Sequence, residues 1–188
     1  EGVATRPNQR EHILDVALGL MSQRGAKGTS MRQLAAACDL QVAAIYHYFD
    51  SKDALLAAVV AERHYGTRMA EPFPIDPSSP PEERLTTLFL HVWNGALEEQ
   101  AIWRLVLGEG MQGEPNVRPV GRTLLDLIEP ATVAWIEQFL PEIEAPAPVA
   151  RLMIGQLLNG FVRAVFSDDD PASIGVDCVE PIVDVVFG

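Results

Sequence analysis

The stretch TSMRQLAAACDLQVAAIYHYFDSKDALLAAVV, from Thr29 to Val60, predicts two short helices joined by a tight turn and followed by the capped start of a longer helix. Ser30 and Gln33 have the spacing of a capping box, in which each side chain bonds the other residue's backbone amide. The first helix should therefore begin at Met31. The pattern breaks at Asp39, a residue type that tolerates the left-handed backbone of a sharp turn. This order indicates a helix-turn-helix.

The second short helix separates a buried stripe from exposed faces. Ile45 and Phe49 stand four residues apart and should face inward together. The other faces are then free to meet a DNA groove or a phosphate group. They carry Gln41, Ala44, His47 and Tyr48.

The pattern extends upstream into an amphipathic helix that closes at Gly25. Its apolar face carries Ile13, Leu14, Ala17 and Met21. With Thr29-Ser30-Met31, Leu34-Ala35, Ile45-Tyr46, Phe49 and Ser51-Lys52, the segment from Gln9 to Val60 resembles the N-terminal part of TetR-type transcription regulators. About a dozen positions agree over roughly fifty residues, which is more specific than a bare helix-turn-helix match. The resemblance implies a homodimeric repressor that binds a palindromic operator and is released by a small-molecule effector.

Some positions depart from the family pattern. Asp39 stands where the family commonly has glycine, and Gln41 replaces the usual small cap before the recognition helix. Ala43 and Ala44 replace a common Gly-Thr pair, so base preference carries over less directly than the fold does. The motif and the resemblance together predict DNA contacts from Thr29, Arg32, Gln41, Ala43, Ala44, Tyr46, His47, Tyr48 and Lys52.

Charge is divided unevenly along the chain. The net charge is -12, which by itself argues against a nucleic-acid partner. Residues 1–68, however, carry eight Lys and Arg against seven acids, and the remainder carries six Arg against nineteen acids. An acidic remainder would repel DNA and confine contact to the first third. An ordinary solvated acidic surface is the alternative.

Composition predicts a cytoplasmic protein that does not enter a membrane. The longest uninterrupted apolar runs, near Ala54 and Ile182, are too short to cross a bilayer. The opening Glu1-Gly2-Val3 has no apolar leader-like run, which favours a trimmed chain over a processed secreted one. Cys38 and Cys178 lack the spacing of metal or redox cysteines and are interpreted as small buried apolar residues.

The rest of the chain predicts an all-α fold. Helical spacing continues from a Ser51 cap to about Met69, and a proline-rich connector follows between Pro72 and Pro81. Further helices are predicted over 82–99, 101–107, 119–140, 149–166 and 172–187, with a Gly-rich break at GEGMQGEPN. No strand alternation is evident. We expect a DNA-binding head at residues 1–52 and a larger ligand-binding and dimerisation body at residues 53–188.

No residue pattern predicts an enzyme, a cofactor or a metal site. The four histidines lack metal-ligand spacing, and the acidic run that starts at Asp168 lacks the glycine and late glutamate of a calcium loop. Ser30 and Ser51 are explained as helix caps.

Aromatic residues on the body helices raise the question of a pocket. In the family such helices enclose an effector site, and polar side chains among apolar ones suggest a buried partner. Plain core packing is the alternative for each aromatic. The predicted effector-binding residues are His64, Phe89, Trp93, Asn94, Trp103, Arg104, Trp135, Gln156 and Asn159.

The last two helices are apolar on more than one face, as their Leu, Ile and Val residues around Gly155 and Gly160 show. Such helices are buried once by their own body and once by another chain, which predicts a homodimer through this pair. A monomeric core is the alternative. The rival functions are a helical small-molecule-binding protein without strong DNA affinity and a helical enzyme, and no catalytic pair supports the latter.

Overall fold

The computed structural model describes residues 8–63 and 72–188, and within these ranges all regular structure is α-helical. The prediction of an all-α fold is confirmed. The described helices are α1 (Gln9–Arg24), α2 (Met31–Ala37), α3 (Val42–Tyr48), α4 (Lys52–Glu62), α5 (Pro81–Glu98), α6 (Gln100–Met111), α7 (Arg118–Phe139), α8 (Pro146–Phe166) and α9 (Pro171–Phe187).

The described residues fall into two compact units. Unit 1 lies within Glu1–Met69 and Glu99–Thr123, and unit 2 lies within Ala70–Glu98 and Leu124–Gly188. Unit 1 is built on α1, which packs against α2, α4 and α6. The four predicted apolar residues of α1 are all buried, and α6 adds its own buried stripe. That stripe consists of Ile102, Leu105, Val106 and Glu109.

Unit 2 packs α5, α8 and α9 around a core of large side chains. α9 begins at Pro171 with Asp170 as its N-cap, whose carboxylate accepts from Ser173 N. Arg84 is buried in α5 and donates to Ser79 O at 2.9 Å, to Phe139 O at 2.6 Å and to the Glu142 carboxylate. These bonds join α5 to the end of α7 and to the connector before α5.

Two helix boundaries differ from the sequence prediction by at least three residues. α6 continues through Gly108 and Gly110 to Met111, where a break was predicted, because the packing of α6 against α1 outweighs the low helix propensity of glycine. α8 begins at Pro146 instead of Val149, since proline fits the first turn of a helix. The predicted end of α4 near Met69 lies outside the described residues.

α8 also corrects the expectation about membrane-spanning length. By length and composition alone its 21 residues would suffice to cross a bilayer, although charged and polar residues interrupt its apolar runs. One face of α8 packs into the core of unit 2, as core helices of globular proteins do. That face consists of Val149, Ala150, Met153, Leu157 and Gly160.

Trp93 of α5 fills the space against α8 and α9. Its side chain is fully buried, and its indole Nε1 donates to Pro171 O at 2.9 Å. A Cβ atom at Gly160 would lie 2.7 Å from Trp93 Cζ3, and one at Gly175 would lie 2.5 Å from Trp93 Cδ1. The two glycines therefore leave room for the indole ring.

Gly160→Ala should lower the free energy of unfolding by about 1 to 3 kcal/mol, because the added methyl group collides with a ring that has no space to retreat. Gly121→Ala is the matched control, since a Cβ there meets nothing within 4 Å. The control should gain up to about 1 kcal/mol from helix propensity. Chemical denaturation measures both, and equal stabilisation of the two variants would contradict this packing.

Candidate nucleic-acid interface

The helix-turn-helix forms as its local signals predict. Ser30 Oγ accepts from Gln33 N at 3.2 Å, while Ser30 N donates to Gln33 Oε1 at 2.8 Å, which completes the capping box. Asp39 adopts a φ of 56°, and Leu40 N returns to Ala35 O at 2.9 Å. The turn thus ends α2, and α3 packs against α2. Ile45 is fully buried on the inward face of α3, as predicted.

α3 presents a mixed face to the outside. Gln41 is its N-cap residue, makes no capping hydrogen bond through its side chain and is exposed. Ala43, Tyr46 and His47 are exposed too, and Ala44 is half-buried. The Gln41 amide is thereby available to a partner, and the exposed surface of α3 combines an aromatic ring, an imidazole and small apolar groups.

Tyr48 is tied to the first helix. It is half-buried, and its hydroxyl donates to Gln9 Oε1 at 3.1 Å. Its ring also meets the His47 ring edge-on, with centroids 5.2 Å apart. Because the Tyr48 hydroxyl donates its proton to Gln9, it is not free to donate to DNA. Tyr48 instead helps to hold α3 against α1.

Thr29 requires a similar correction. The residue is 1% exposed, its hydroxyl donates to Gly25 O at 3.0 Å, and its backbone amide donates to Ala26 O at 3.3 Å. Both donors of Thr29 are therefore committed to the turn before α2. The predicted phosphate contact has no donor left, because a phosphate oxygen can only accept.

Lys52 and Arg32 flank α3. Lys52 is the first residue of α4 and is half-buried, and Ser51 caps that helix by accepting from Ala54 N at 3.0 Å. The free amides of this first turn can meet a phosphate. Arg32 is exposed on α2. Three exposed acids, Asp39, Asp50 and Asp53, lie close to these residues in the sequence and add negative charge to this part of unit 1.

An ionic clamp joins the ends of α1 and α4, and the sequence analysis missed it. Both terminal guanidinium nitrogens of Arg10, Nη1 and Nη2, donate to the Glu62 carboxylate at 2.6 Å, and Arg63 binds Glu11 at 2.6 Å and Asp15 at 2.7 Å. The bonds from Arg10 hold the pKa of the Glu62 carboxyl below its ordinary value. The opposite charges are visible in the sequence, but no spacing rule pairs residues 52 positions apart.

The predicted effector-binding residues that the structure describes are divided between the two units. Phe89 and Trp93 are fully buried in the core of unit 2, whereas Trp103 and Arg104 belong to unit 1. His64 lies outside the described residues. Trp135 is half-buried against Phe73, with ring centroids 5.0 Å apart. These positions correct the idea that Phe89 and Trp93 line a pocket, because neither exposes surface to a ligand.

The three predicted amide side chains lie at or near the surface of unit 2. Asn94 is exposed, Gln156 is half-buried, and exposed Asn159 donates to Gln156 Oε1 at 3.2 Å. A separate open groove of about 430 Å³ runs along α7 and contains none of the nine predicted residues. Its lining consists of Leu125, Asp126, Glu129, Pro130, Val133, Ala134 and Glu137.

α8 and α9 expose apolar side chains on the faces turned away from the core of unit 2. The exposed members include Leu152, Leu158, Val162, Val165 and Phe166 of α8 and Val176 and Val185 of α9. Phe166 is 85% exposed, which is unusual for a phenylalanine. Exposed apolar patches on globular proteins often mark interaction sites.

The cysteines and acids described by the structure form no metal centre. Within residues 8–63 and 72–188, no group of three or more His, Cys, Asp or Glu is placed to hold a metal ion. Cys38 and Cys178 are both buried and free, and burial raises the pKa of both thiols. The interpretation of the cysteines as buried apolar residues is confirmed.

Comparison with known proteins identifies the helix-turn-helix region. Residues 13–59 match the family model of bacterial regulatory proteins of the tetR family. The chain is 35% identical over 98 residues to an uncharacterized HTH-type transcriptional regulator of Xanthobacter autotrophicus, covering 50% of this chain and 48% of the relative. It is also 35% identical over 96 residues to the HTH-type transcriptional regulator AcrR of Shigella flexneri, covering 48% and 43%. The chain thus matches somewhat under half the length of these curated relatives.

Solved structures share the fold over nearly the whole chain. NemR of E. coli in its reduced form superposes with a TM-score of 0.71 at 20% identity, over 93% of this chain and 97% of that one. A transcriptional regulator from Aquifex aeolicus gives 0.70 at 17% identity, over 96% and 100%. The match over residues 13–59 identifies a helix-turn-helix region of the tetR family of bacterial regulatory proteins, and the chain shares the all-helical fold of these two solved structures.

Proposed function

We propose that the chain is a homodimeric repressor whose α2–α3 pair binds a palindromic operator and whose body binds a small-molecule effector that releases the DNA. The observation that carries the proposal is the capped α2–turn–α3 arrangement, which buries Ile45 and leaves Gln41 exposed at the start of α3. A recognition helix contacts base edges through residues at its N-terminal end. The division into a head at 1–52 and a body at 53–188 is part of this proposal.

DNA contact is proposed to come from one edge of unit 1. Gln41 and Arg32 meet base edges, while Lys52 and the first turn of α4 meet the phosphate backbone. Tyr46 and His47 are exposed on the same helix as Gln41 and contribute contacts to sugar or phosphate. Ala43 and Ala44 permit close approach to the groove wall, as small side chains do. Localisation in the cytoplasm follows from a DNA-binding role.

Dimerisation is proposed through the exposed apolar faces of α8 and α9. The exposed Val162 and Phe166 would cost free energy in a monomer because they hold apolar surface in water. Two copies of the helix pair would form an isologous four-helix contact, in which the same surface is used twice. A two-fold symmetric protein then requires a two-fold symmetric DNA site.

The effector proposal is supported by the tetR family match of residues 13–59 and by the polar residues of the body. Asn94, Gln156 and Asn159 offer amides near the surface of unit 2, and Trp135 offers an aromatic face. Arg104 and Trp103 lie on α6 in unit 1. A ligand that prefers one position of α4 or α6 would change how the two heads of a dimer fit successive major grooves.

A second candidate function is a small-molecule-binding protein with little DNA affinity. It is favoured by α3 itself, which carries no lysine or arginine and exposes Ala43. An electrophoretic shift with DNA flanking the chain's own gene separates the two functions. A retarded complex at nanomolar to micromolar protein favours the repressor, and its absence together with effector binding favours the second candidate.

Lys52→Ala should weaken binding to all DNA sequences alike and reduce the slope of log affinity against log salt concentration by about one, because one phosphate contact is lost. Lys27→Ala is the matched control, since Lys27 is exposed and is the chain's other lysine. Its slope should stay at the wild-type value. Fluorescence anisotropy at several salt concentrations measures both, and an unchanged slope for Lys52→Ala would refute the contact.

Gln41→Ala and Arg32→Ala should each relax base preference at one position of every half-site. A bidentate pair between a glutamine and adenine, or an arginine and guanine, gives about 1 to 3 kcal/mol of discrimination. A binding selection from randomised duplexes reports the preference directly, with Lys52→Ala as the control that loses affinity without losing preference. Intact preference in both variants would mean that other residues recognise the bases.

An effector found by a thermal-shift screen of aromatic and amphipathic compounds should bind about 5- to 150-fold more weakly in the presence of operator duplex, because coupling between two sites is reciprocal. Calorimetric titration with and without duplex measures the factor. Equal affinity in both titrations would mean that effector binding is not coupled to DNA binding. The body would then serve only for dimerisation, and the release of DNA by an effector would be refuted.

A further inference from the structure

Glu109 is a buried carboxylate that the sequence analysis did not single out. It lies on α6, is 2% exposed, and its Oε1 accepts a hydrogen bond from Ala26 N at 2.6 Å. The two residues are 83 positions apart in the chain and belong to the same compact unit. Burying a carboxylate costs a large amount of free energy. The contacts that Glu109 makes therefore indicate its role in the structure.

The partner of Glu109 is the turn that leaves α1. Gly25 ends the helix with a φ of 73°, a conformation that favours glycine. A Cβ atom at Gly25 would lie 3.2 Å from Glu109 Oε1, so the carboxylate fills the space that the glycine leaves open. Ala26 follows and is 5% exposed, which leaves its amide dependent on a protein acceptor.

The same turn holds the start of the helix-turn-helix. Gly25 O accepts from the Thr29 hydroxyl at 3.0 Å, and Ala26 O accepts from Thr29 N at 3.3 Å. Thr29 adjoins Ser30, which caps α2. The hydrogen bonds therefore connect a side chain of α6, through the turn, to Thr29, and the next residue along the chain is the cap of α2.

The second oxygen of Glu109 points to positioning more than to stability. Glu109 Oε2 is buried without a hydrogen-bond partner among the described residues. An unmet carboxylate oxygen is destabilising, and an apolar side chain of similar size would avoid that cost. What an apolar side chain cannot supply is the acceptor for Ala26 N.

We infer that Glu109 is a positioning residue for DNA recognition: its carboxylate fixes the α1–α2 turn and thereby sets the position of α2 and α3. This inference rests on the proposed function for its DNA consequence. The hydrogen bond also makes α6 a direct mechanical link to the helix-turn-helix, in addition to α4. A displacement of α6 by about an ångström would lengthen the bond from 2.6 Å beyond the range of a good hydrogen bond.

The test compares Glu109→Leu, Glu109→Gln and the same-helix control Gln100→Ala, which changes an exposed residue. Leucine keeps the volume and removes the acceptor, whereas glutamine keeps an acceptor oxygen. Amide hydrogen exchange at Ala26 and at residues 29–34 is measured on the full-length chain without DNA. Affinity for the selected operator duplex is measured on the same samples.

Glu109→Leu should speed exchange at Ala26 about tenfold and weaken operator binding about tenfold, since the lost bond to a charged group leaves a buried amide unpaired. Glu109→Gln and Gln100→Ala should stay close to wild type in both measurements. Wild-type exchange at Ala26 in Glu109→Leu would overturn the anchoring role, and wild-type operator affinity in a variant with faster exchange would overturn the link to recognition.

Failure of the proposed function itself gives a different pattern. If the wild-type chain binds no duplex, the operator proposal and the recognition half of this inference fall together, while exchange at Ala26 still decides whether Glu109 anchors the turn. If Glu109→Leu does not fold, Glu109→Gln still tests the anchoring role. Exchange at Ala26 that is faster in Glu109→Gln than in the wild type would contradict that role, because glutamine retains the acceptor oxygen.

Discussion

The turn from Gly25 to Ser30 is the constraint on which the DNA-binding part of the structure depends. α2 and α3 have seven residues each and are too short to be stable as isolated helices. Their position must come from packing on α1 and from the chain that leads into them. Thr29 is buried in that turn, and both of its hydrogen-bond donors bind backbone carbonyls of the turn. Ser30 then caps α2. A loosened turn would displace the pair without unfolding it.

Two kinds of contact hold this unit together, and they respond to different conditions. The clamp between Arg10 and Glu62 lies at the surface and depends on an ionised Glu62, so it is retained above the ordinary glutamate pKa and lost as pH falls through the lowered pKa of Glu62. Salt also screens it. The bond from Glu109 to Ala26 N is buried and is insulated from salt. Added salt therefore weakens the surface clamp without loosening the turn that positions α2.

Sequence reasoning succeeded where the signals are local and failed where they are distant. The capping box of Ser30, the left-handed Asp39 and the buried Ile45 follow from spacings of a few residues. Glu109 sits between two glycines in a stretch that predicts a break, and its partner is 83 residues away. Phe89 and Trp93 were assigned to a pocket because an aromatic on an amphipathic helix has the same spacing in a core as in a cavity. Only the packing of Trp93 against Gly160 and Gly175 decides between them.

The central claim is that two copies of the helix-turn-helix bind one duplex side by side, and hydroxyl-radical footprinting of the selected operator tests it most directly. A two-fold symmetric dimer should protect two patches on one face of the duplex, with half-site centres about 10 base pairs apart or at a multiple of that spacing. The protected pattern should also be symmetric about its centre. A single protected patch, or two patches with no symmetry between them, would contradict the account.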